Sequence, residues 1–503
     1  MKNIKIIILT LIIFIACLVC VSCSANGGRA NSSEESNKNA AAVTEEASET
    51  AASILRPDIP QGTDYNGYEF KVITPATYID QKPCNEVSVE QENGEPLNDA
   101  VYLRNSIAES LLNIKIISVN SNVHTDGLAN FVKKIILAGS DEFDAIVGAN
   151  WTPISLVQAR CLKNLYNVPN IDLSKPWWDQ RMIEDLSYKK SKLFYISGDI
   201  NYYDKYGIAV LLFNKKLFTD NGFEYPYEKV RNDVWTFNEF VKLVKDFSRD
   251  LNGDGKMDEN DQWGIIENVG AIIHFLPSCG EKIAVLDSEG IPVINTLSDR
   301  HITVVSALCD LFCDKNNVLL AENLSHIKDP YNDGIYKVFR NGQCLFSSVA
   351  LLGVVQEFRD MEDDFGYLPF PKFDGDQKEY YHFQSFGWST SYSIPVTNLD
   401  PERTGMILEV MAGYSSDTII PALIDVSLKS KFARDNDSEE MLEIVFKTKT
   451  FDLGVEYQWG GLYGIYNTIT REGFSKFVSS IERQMPKAQI EMEQTIAIFE
   501  ESN

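Results

Sequence analysis

The densest cluster of chemically capable side chains is Asp250-Leu-Asn252-Gly-Asp254-Gly255-Lys256-Met-Asp258-Glu-Asn-Asp261. Oxygen side chains fall at loop positions 1, 3, 5, 9 and 12, with glycine at position 6, and Lys256 at position 7 can offer its backbone carbonyl. This is the spacing of an EF-hand loop, in which a hard cation gathers hard oxygen ligands around a tight glycine turn. It predicts one structural calcium ion held by Asp250, Asn252, Asp254, Lys256, Asp258 and Asp261. Position 12 is Asp instead of Glu, and Gln262-Trp-Gly-Ile-Ile266 reads as a strand where an EF-hand has its second helix. An ion-free Asp/Asn/Gly turn is the alternative reading.

No pattern of nucleophilic or metal catalysis accompanies that loop. The five histidines (His124, His274, His301, His326 and His382) are scattered, with no zinc spacing. There is no G-x-S-x-G elbow, phosphate loop or dinucleotide fingerprint. A glycosidase needs two carboxylates at a set separation, and 72 acidic residues leave such a pair unidentified in sequence. The formal charge of −26 opposes nucleic-acid binding, which needs a basic face to neutralise phosphates.

The N-terminus reads as a targeting segment. Lys2 and Lys5 precede an apolar run from Ile6 to Val21, too short to span a bilayer and right for a signal peptide. Ser22-Cys23 resembles the bacterial lipoprotein cleavage box, with Cys20 where leucine is usual. It predicts a signal at 1–22 and Cys23 as the acylated, palmitate-bearing first residue of a protein on the extracytoplasmic face of the cell membrane; an ordinary secretory signal or an uncleaved anchor is the alternative reading. Residues 23–57 are rich in Ser, Asn, Ala, Glu and Thr, and cannot bury enough apolar surface to offset ordering. They are expected to form a tether spanning roughly 30–35 Å. Cys84, Cys161, Cys279, Cys309, Cys313 and Cys344 are too sparse for a disulfide framework and read as free thiols.

The elements that must position any site follow from hydrophobic spacing. Tyr68–Ile73 alternates as a strand, Asn98–Asn113 is helical, Ile114–Val119 is a strand, Asp126–Ala138 is helical, and Phe143–Val147 is a buried strand. Such alternation implies parallel sheet with helical crossovers. The pattern restarts with the strand Ile208–Asn214. Thr236-Phe-Asn-Glu239 predicts a capping box ahead of an apolar stripe of Phe237, Phe240, Val241, Val244 and Phe247. Pro486 is expected to kink or divide the C-terminal helical stretch Phe474–Glu501.

Several segments together resemble the extracellular solute-binding family 1 of bacterial importers. Trp235-Thr-Phe-Asn-Glu-Phe followed by a helix and Asn252 to Gly264 carries most of the likeness. Ser140–Val147, Leu211–Phe218, Phe339–Phe346, Phe365–Pro371 and Ser391–Pro395 agree in order. The resemblance runs from about Tyr68 to the C-terminus. It implies an α/β fold of the periplasmic-binding-protein type II class, with a hinge and an interlobe cleft: lobe one at 66–197 plus 371–425, lobe two at 198–370 plus 426–503. It further implies a monomeric lipoprotein that delivers a carbohydrate, an oligosaccharide, to ABC permease subunits, and not an enzyme. Sugar rings stack on aromatic faces while their hydroxyls need polar partners. The implied contacts are Asn150, Trp151, Tyr202, Tyr203, Asp204, Glu267, Asn268, Trp388, Tyr457, Trp459 and Tyr463, the last three in a Gly-rich stretch that reads as loop. Leu352 stands where a maltose-binding member carries a stacking Trp, which counts against maltodextrin specificity. A peptide or other solute in the same fold, and a carbohydrate-active enzyme, are the alternative functions.

Overall fold

The computed structural model describes residues 55–428 and 436–502. The signal segment, Cys23 and nearly all of the tether lie outside the described residues.

The first sheet is built from β1 (Tyr68–Thr74), α1 (Pro96–Leu112), β2 (Ile114–Asn120), α2 (Thr125–Leu137) and β3 (Ala145–Ala149). β1 lies between β2 and β3 and is parallel to both, in a register running from Tyr68 opposite Ile114 to Thr74 opposite Asn120. Parallel neighbours need a long crossover, which α1 and α2 supply. α1 stops at Asn113, whose left-handed backbone (φ 50°) turns the chain straight into β2. All five residues of β3 are buried, as expected of a strand covered on both faces. The fourth strand, Thr390–Ser393, arrives from far along the chain and pairs antiparallel with β3.

Past α3 (Trp151–Gln158) the chain leaves this sheet through 197–208 and builds a second one. That sheet comprises β4 (Ala209–Asn214), β5 (Trp263–Glu267), β8 (Val318–Leu320), β9 (Cys344–Ala350) and β10 (Phe365–Leu368), in the order β10-β4-β9-β5-β8. A small hairpin of β6 (Ala284–Leu286) and β7 (Pro292–Ile294) lies outside it. α4 (Phe237–Phe247) lays Phe240 against Phe275 and Phe346, with ring centroids 5.6 and 5.0 Å away. Its helical spacing therefore delivers the expected stripe to the core, each fully buried Phe contributing roughly 1.5–3 kcal/mol.

After α5 (Leu351–Glu357) and β10, the chain recrosses through 369–389, passing β11 (His382–Phe383), to reach Thr390–Ser393, here β12. α6 (Pro401–Leu428) packs along α1. It is long and apolar enough to cross a membrane, but most of its apolar window is buried within the protein, as in a core helix. α7 (Asn436–Lys447) then packs on β10, and β13 (Lys449–Thr450) pairs with β11. α8 (Leu462–Glu472) and α9 (Phe477–Glu501) close the chain. The architecture is a two-lobed α/β fold.

Three local expectations are corrected. Pro486 does not divide the C-terminal stretch: α9 continues through it, and Pro486 and Glu482, one turn earlier, are both exposed, so solvent can serve the carbonyl that loses its amide partner. The capping box does not form: Thr236 is the N-cap without a side-chain bond, and Glu239 pairs with Lys229. The Phe237 amide instead donates to the Lys372 carbonyl at 2.7 Å, so the second crossing caps the helix. Gln458–Gly464 is not a loop but a tight 3-10 turn, Trp459–Gly461, leading directly into α8.

The six cysteines among the described residues are free, five of them buried. The crossings are tied by charge: Lys449 pairs with both Asp179 and Asp204, and Asp204 also accepts from Lys205 at 3.3 Å. Burial pulls Lys449 down, but the two carboxylates outweigh it and hold the ammonium above its ordinary range. Breaking such a buried pair leaves an uncompensated charge.

Candidate functional site

A cavity of about 580 Å³ opens between the two sheets. One side comes from Asp80, in the loop after β1, and from Ser385, Phe386 and Trp388 in the second crossing. The facing side comes from Asn268 and His274 beyond β5, Tyr331, Asn332 and Tyr336, and Ser348 to Glu357 at the end of β9 and along α5. Tyr463 at the start of α8 completes the wall. The strand ends of the second sheet thus point loops and short helices at the cleft, where irregular backbone is free to present side chains.

The polar groups are fixed. Asp80 accepts from Gln356 Nε2 at 3.0 Å and from Tyr203 Oη at 3.3 Å, joining the two sides of the cleft. Glu267 lies fully buried behind Asn268, accepting its amide at 2.8 Å, and its other oxygen is 3.4 Å from His274 Nδ1. The His274 ring sits against Phe383 with centroids 5.2 Å apart. Tyr331 donates to Glu322 at 3.2 Å. Burial pushes the Tyr331 phenol up to about 12 and raises those of Tyr336 and Tyr463. All three stay protonated at neutral pH and can donate hydrogen bonds.

The aromatic wall is braced from behind. Phe386 meets Trp151 edge-on at 6.4 Å and Tyr463 edge-on at 6.1 Å. Gly387 lets the crossing pass over the Trp151 ring, because a Cβ there would fall 2.8 Å from Cζ3. Trp151 donates to the Thr125 carbonyl at 3.4 Å, so it supports Phe386 instead of lining the cavity.

Of the residues expected at the ligand, Asn268, Trp388 and Tyr463 line the cavity. Asn150 is fully buried with its side chain against Glu456. Tyr202 and Tyr203 are buried beside each other, and only the Tyr203 hydroxyl reaches toward the cleft, through Asp80. Asp204 belongs to the Lys449 ion cluster. Tyr457 and Trp459 stack at 5.8 Å, and the Trp459 indole donates to Thr495 of α9 at 3.0 Å. Trp459 is 1% exposed, a core residue, because the 3-10 turn folds it under the C-terminal helix. Leu352 is likewise buried.

Asp80, His274, Tyr331, Tyr336, Gln356 and Phe386 line the cavity without having been anticipated. A signal existed for two: Asp329-Pro-Tyr-Asn-Asp-Gly334 is a turn-rich run leading to Tyr336, and aromatics on such turns are exposed by default. The others are single residues without spacing.

The Asp250–Asp261 loop is closed by its own amides. Asp250 accepts from Gly253 and Gly255 at 2.7 and 2.9 Å, and Asp254 from Lys256 at 2.8 Å. Asp261 accepts from Leu251 and Asp258 at 2.9 and 2.8 Å. Gly253 and Gly255 supply the positive φ that these turns require. Among the described residues, no group of three or more His, Cys, Asp or Glu side chains converges to hold a metal ion. Each carboxylate retains acceptor capacity beyond these amides.

The chain matches no protein-family model and no curated protein. Solved structures do share its fold. A cyclo/maltodextrin-binding protein in complex with maltotetraose superposes with a TM-score of 0.54 at 12% identity, covering 86% of this chain and 96% of that one. A sugar transporter from Rhizobium etli, in an open conformation, gives 0.53 at 12% identity, covering 87% and 100%. An ABC substrate-binding protein from Listeria monocytogenes, in complex with cycloalternan, gives 0.51 at 13% identity, covering 86% and 99%. The chain has the two-lobed fold of these substrate-binding proteins.

Proposed function

We propose that this protein captures a carbohydrate, an oligosaccharide, by closing two lobes on it, and passes it unchanged to the permease subunits of an ABC importer. The observation that carries this reading is the interlobe cavity itself. It combines aromatic faces from Trp388, Phe386 and Tyr463 with fixed amide, hydroxyl and carboxylate groups from both sides. Apolar C–H faces and many hydroxyls are what such a mixture accommodates. Closure then follows from contacts that only the closed state makes. The solved structures that share the fold, a sugar transporter and binding proteins holding maltotetraose and cycloalternan, support the same reading. In this reading Cys23 is the acylated anchor, residues 24–57 hold the monomeric body off the membrane, and the Asp250–Asp261 loop takes one calcium ion as a structural clip.

A thermal-shift panel of neutral oligosaccharides beside peptides tests the ligand class. A saturable rise in melting temperature with a glycan, and recovery of that glycan intact after long incubation, is the expected result. A response to peptides alone moves the protein to another solute, and steady release of shortened sugars makes it an enzyme.

A further inference from the structure

The cavity wall is unbalanced in charge. Its acidic members are Asp80 and Glu357, and among the described residues it contains no lysine or arginine. Glu357 is already paired with Arg340 at 2.9 Å. Asp80 is paired only with the exposed Lys82, whose ammonium stands 3.9 Å from Oδ2 and does not line the cavity. Its other partners, Gln356 on the wall, the buried Tyr203 hydroxyl and the Lys82 backbone amide at 3.2 Å, are neutral donors. Arg471 approaches Tyr331 but lines a different cavity with Glu322.

We infer that Asp80 is a specificity-determining residue that restricts the cleft to uncharged carbohydrate and turns away sugars bearing carboxylate, sulfate or phosphate groups. The inference rests on the carbohydrate reading above. A carboxylate accepts more hydrogen bonds than the three that Gln356, Tyr203 and the Lys82 amide supply, so a sugar hydroxyl can donate to a remaining site. An anionic group enclosed beside it meets like charge in a water-poor space, with no cation on the wall to offset the loss of hydration. Asp80 also bridges the two sides, so this repulsion is greatest in the closed state, where selection between ligands is made.

The test uses the full chain and matched ligands: malto-, cello- and manno-oligosaccharides, each beside its C6-carboxylated derivative, titrated by calorimetry. The neutral sugar that binds should lose about tenfold or more in affinity on carboxylation. The gap should persist at about 0.5 M salt, where the protein's overall negative field is screened but a contact inside the cleft is not. Asp80→Asn should narrow the ratio several-fold, and Gln356→Glu, at an exposed position, should widen it. Equal binding of both forms overturns the inference while leaving the carbohydrate reading in place. So does a gap that disappears in high salt, or a ratio unmoved by both variants. If no neutral sugar binds, the carbohydrate reading fails and this inference with it.

Discussion

Trp388 and Trp459 carry the same side chain into opposite environments. Trp459 is folded under α9 with its indole N–H given to Thr495 and its face stacked on Tyr457. Trp388 is half-buried on the cleft wall, its backbone amide anchored by Ser385 Oγ at 3.3 Å. Tyr463, four residues beyond Trp459, also faces the cavity. A single 3-10 turn therefore separates a core aromatic from a cleft aromatic. Composition alone does not distinguish them; the turn that folds one ring under α9 and leaves the other aromatics on the cleft wall does.

The largest expected effect comes from Trp459→Ala, which should cost about 3–5 kcal/mol of stability in urea unfolding by opening a cavity beneath α9. Loss of sugar affinity with no loss of stability would erase the contrast with Trp388. Calcium comes next. If the Asp250–Asp261 loop takes the ion, saturation at a hundredfold excess over Kd should stabilise the fold by about 2.7 kcal/mol. Chelator should lower the melting temperature, and Asp254→Ala should abolish that response. An identical melt with and without chelator, starting from calcium-loaded protein, would leave the loop an ion-free turn. Trp388→Ala should weaken sugar binding by about 1–3 kcal/mol, as a truncated anchor does, with the urea midpoint nearly unchanged.

The last contrast is read through pH. Burial raises the Glu456 carboxyl from 4.5 to about 8, against a hydrogen bond from Tyr195 that lowers it. The folded state therefore holds a proton that the unfolded state releases, and stability falls as pH rises from about 4.5 to 8. Glu456→Gln should match the natural protein at pH 4 and gain on it steadily as pH rises toward 8. His382, held down to about 3 by burial, titrates in both proteins and drops out of the difference. A difference that is flat with pH would contradict the buried neutral acid.

How far the sequence reaches can be judged at particular residues. α4 and β5 were legible because a stripe of Phe237, Phe240, Val244 and Phe247, and an apolar run after the Asp250–Asp261 loop, are strong local patterns. The pairing of β12 with β3 spans some 240 residues and has no local signature; likeness to a family marked Ser391–Pro395 as a strand but did not name its partner. The cleft was partly legible for the same reason. Asn268 and Trp388 follow or precede recognisable strands, whereas Asp80 and Gln356 meet only because two distant segments converge. Trp459 misled because adjacent glycines suggested a loop, while Gly460 and Gly461 in fact adopt the positive φ of a tight turn that buries the ring.

The central claim is that the cleft holds a sugar between the lobes, with Trp388 as an anchor, and leaves it chemically unchanged. Calorimetric titration of the natural protein and Trp388→Ala with neutral oligosaccharides, followed by mass spectrometry of the recovered ligand, tests this most directly. One-site binding of an intact oligosaccharide, weakened about tenfold or more in the variant, is the predicted result. Binding that is equally tight in both proteins, no binding of any glycan, or a ligand recovered in pieces would contradict it.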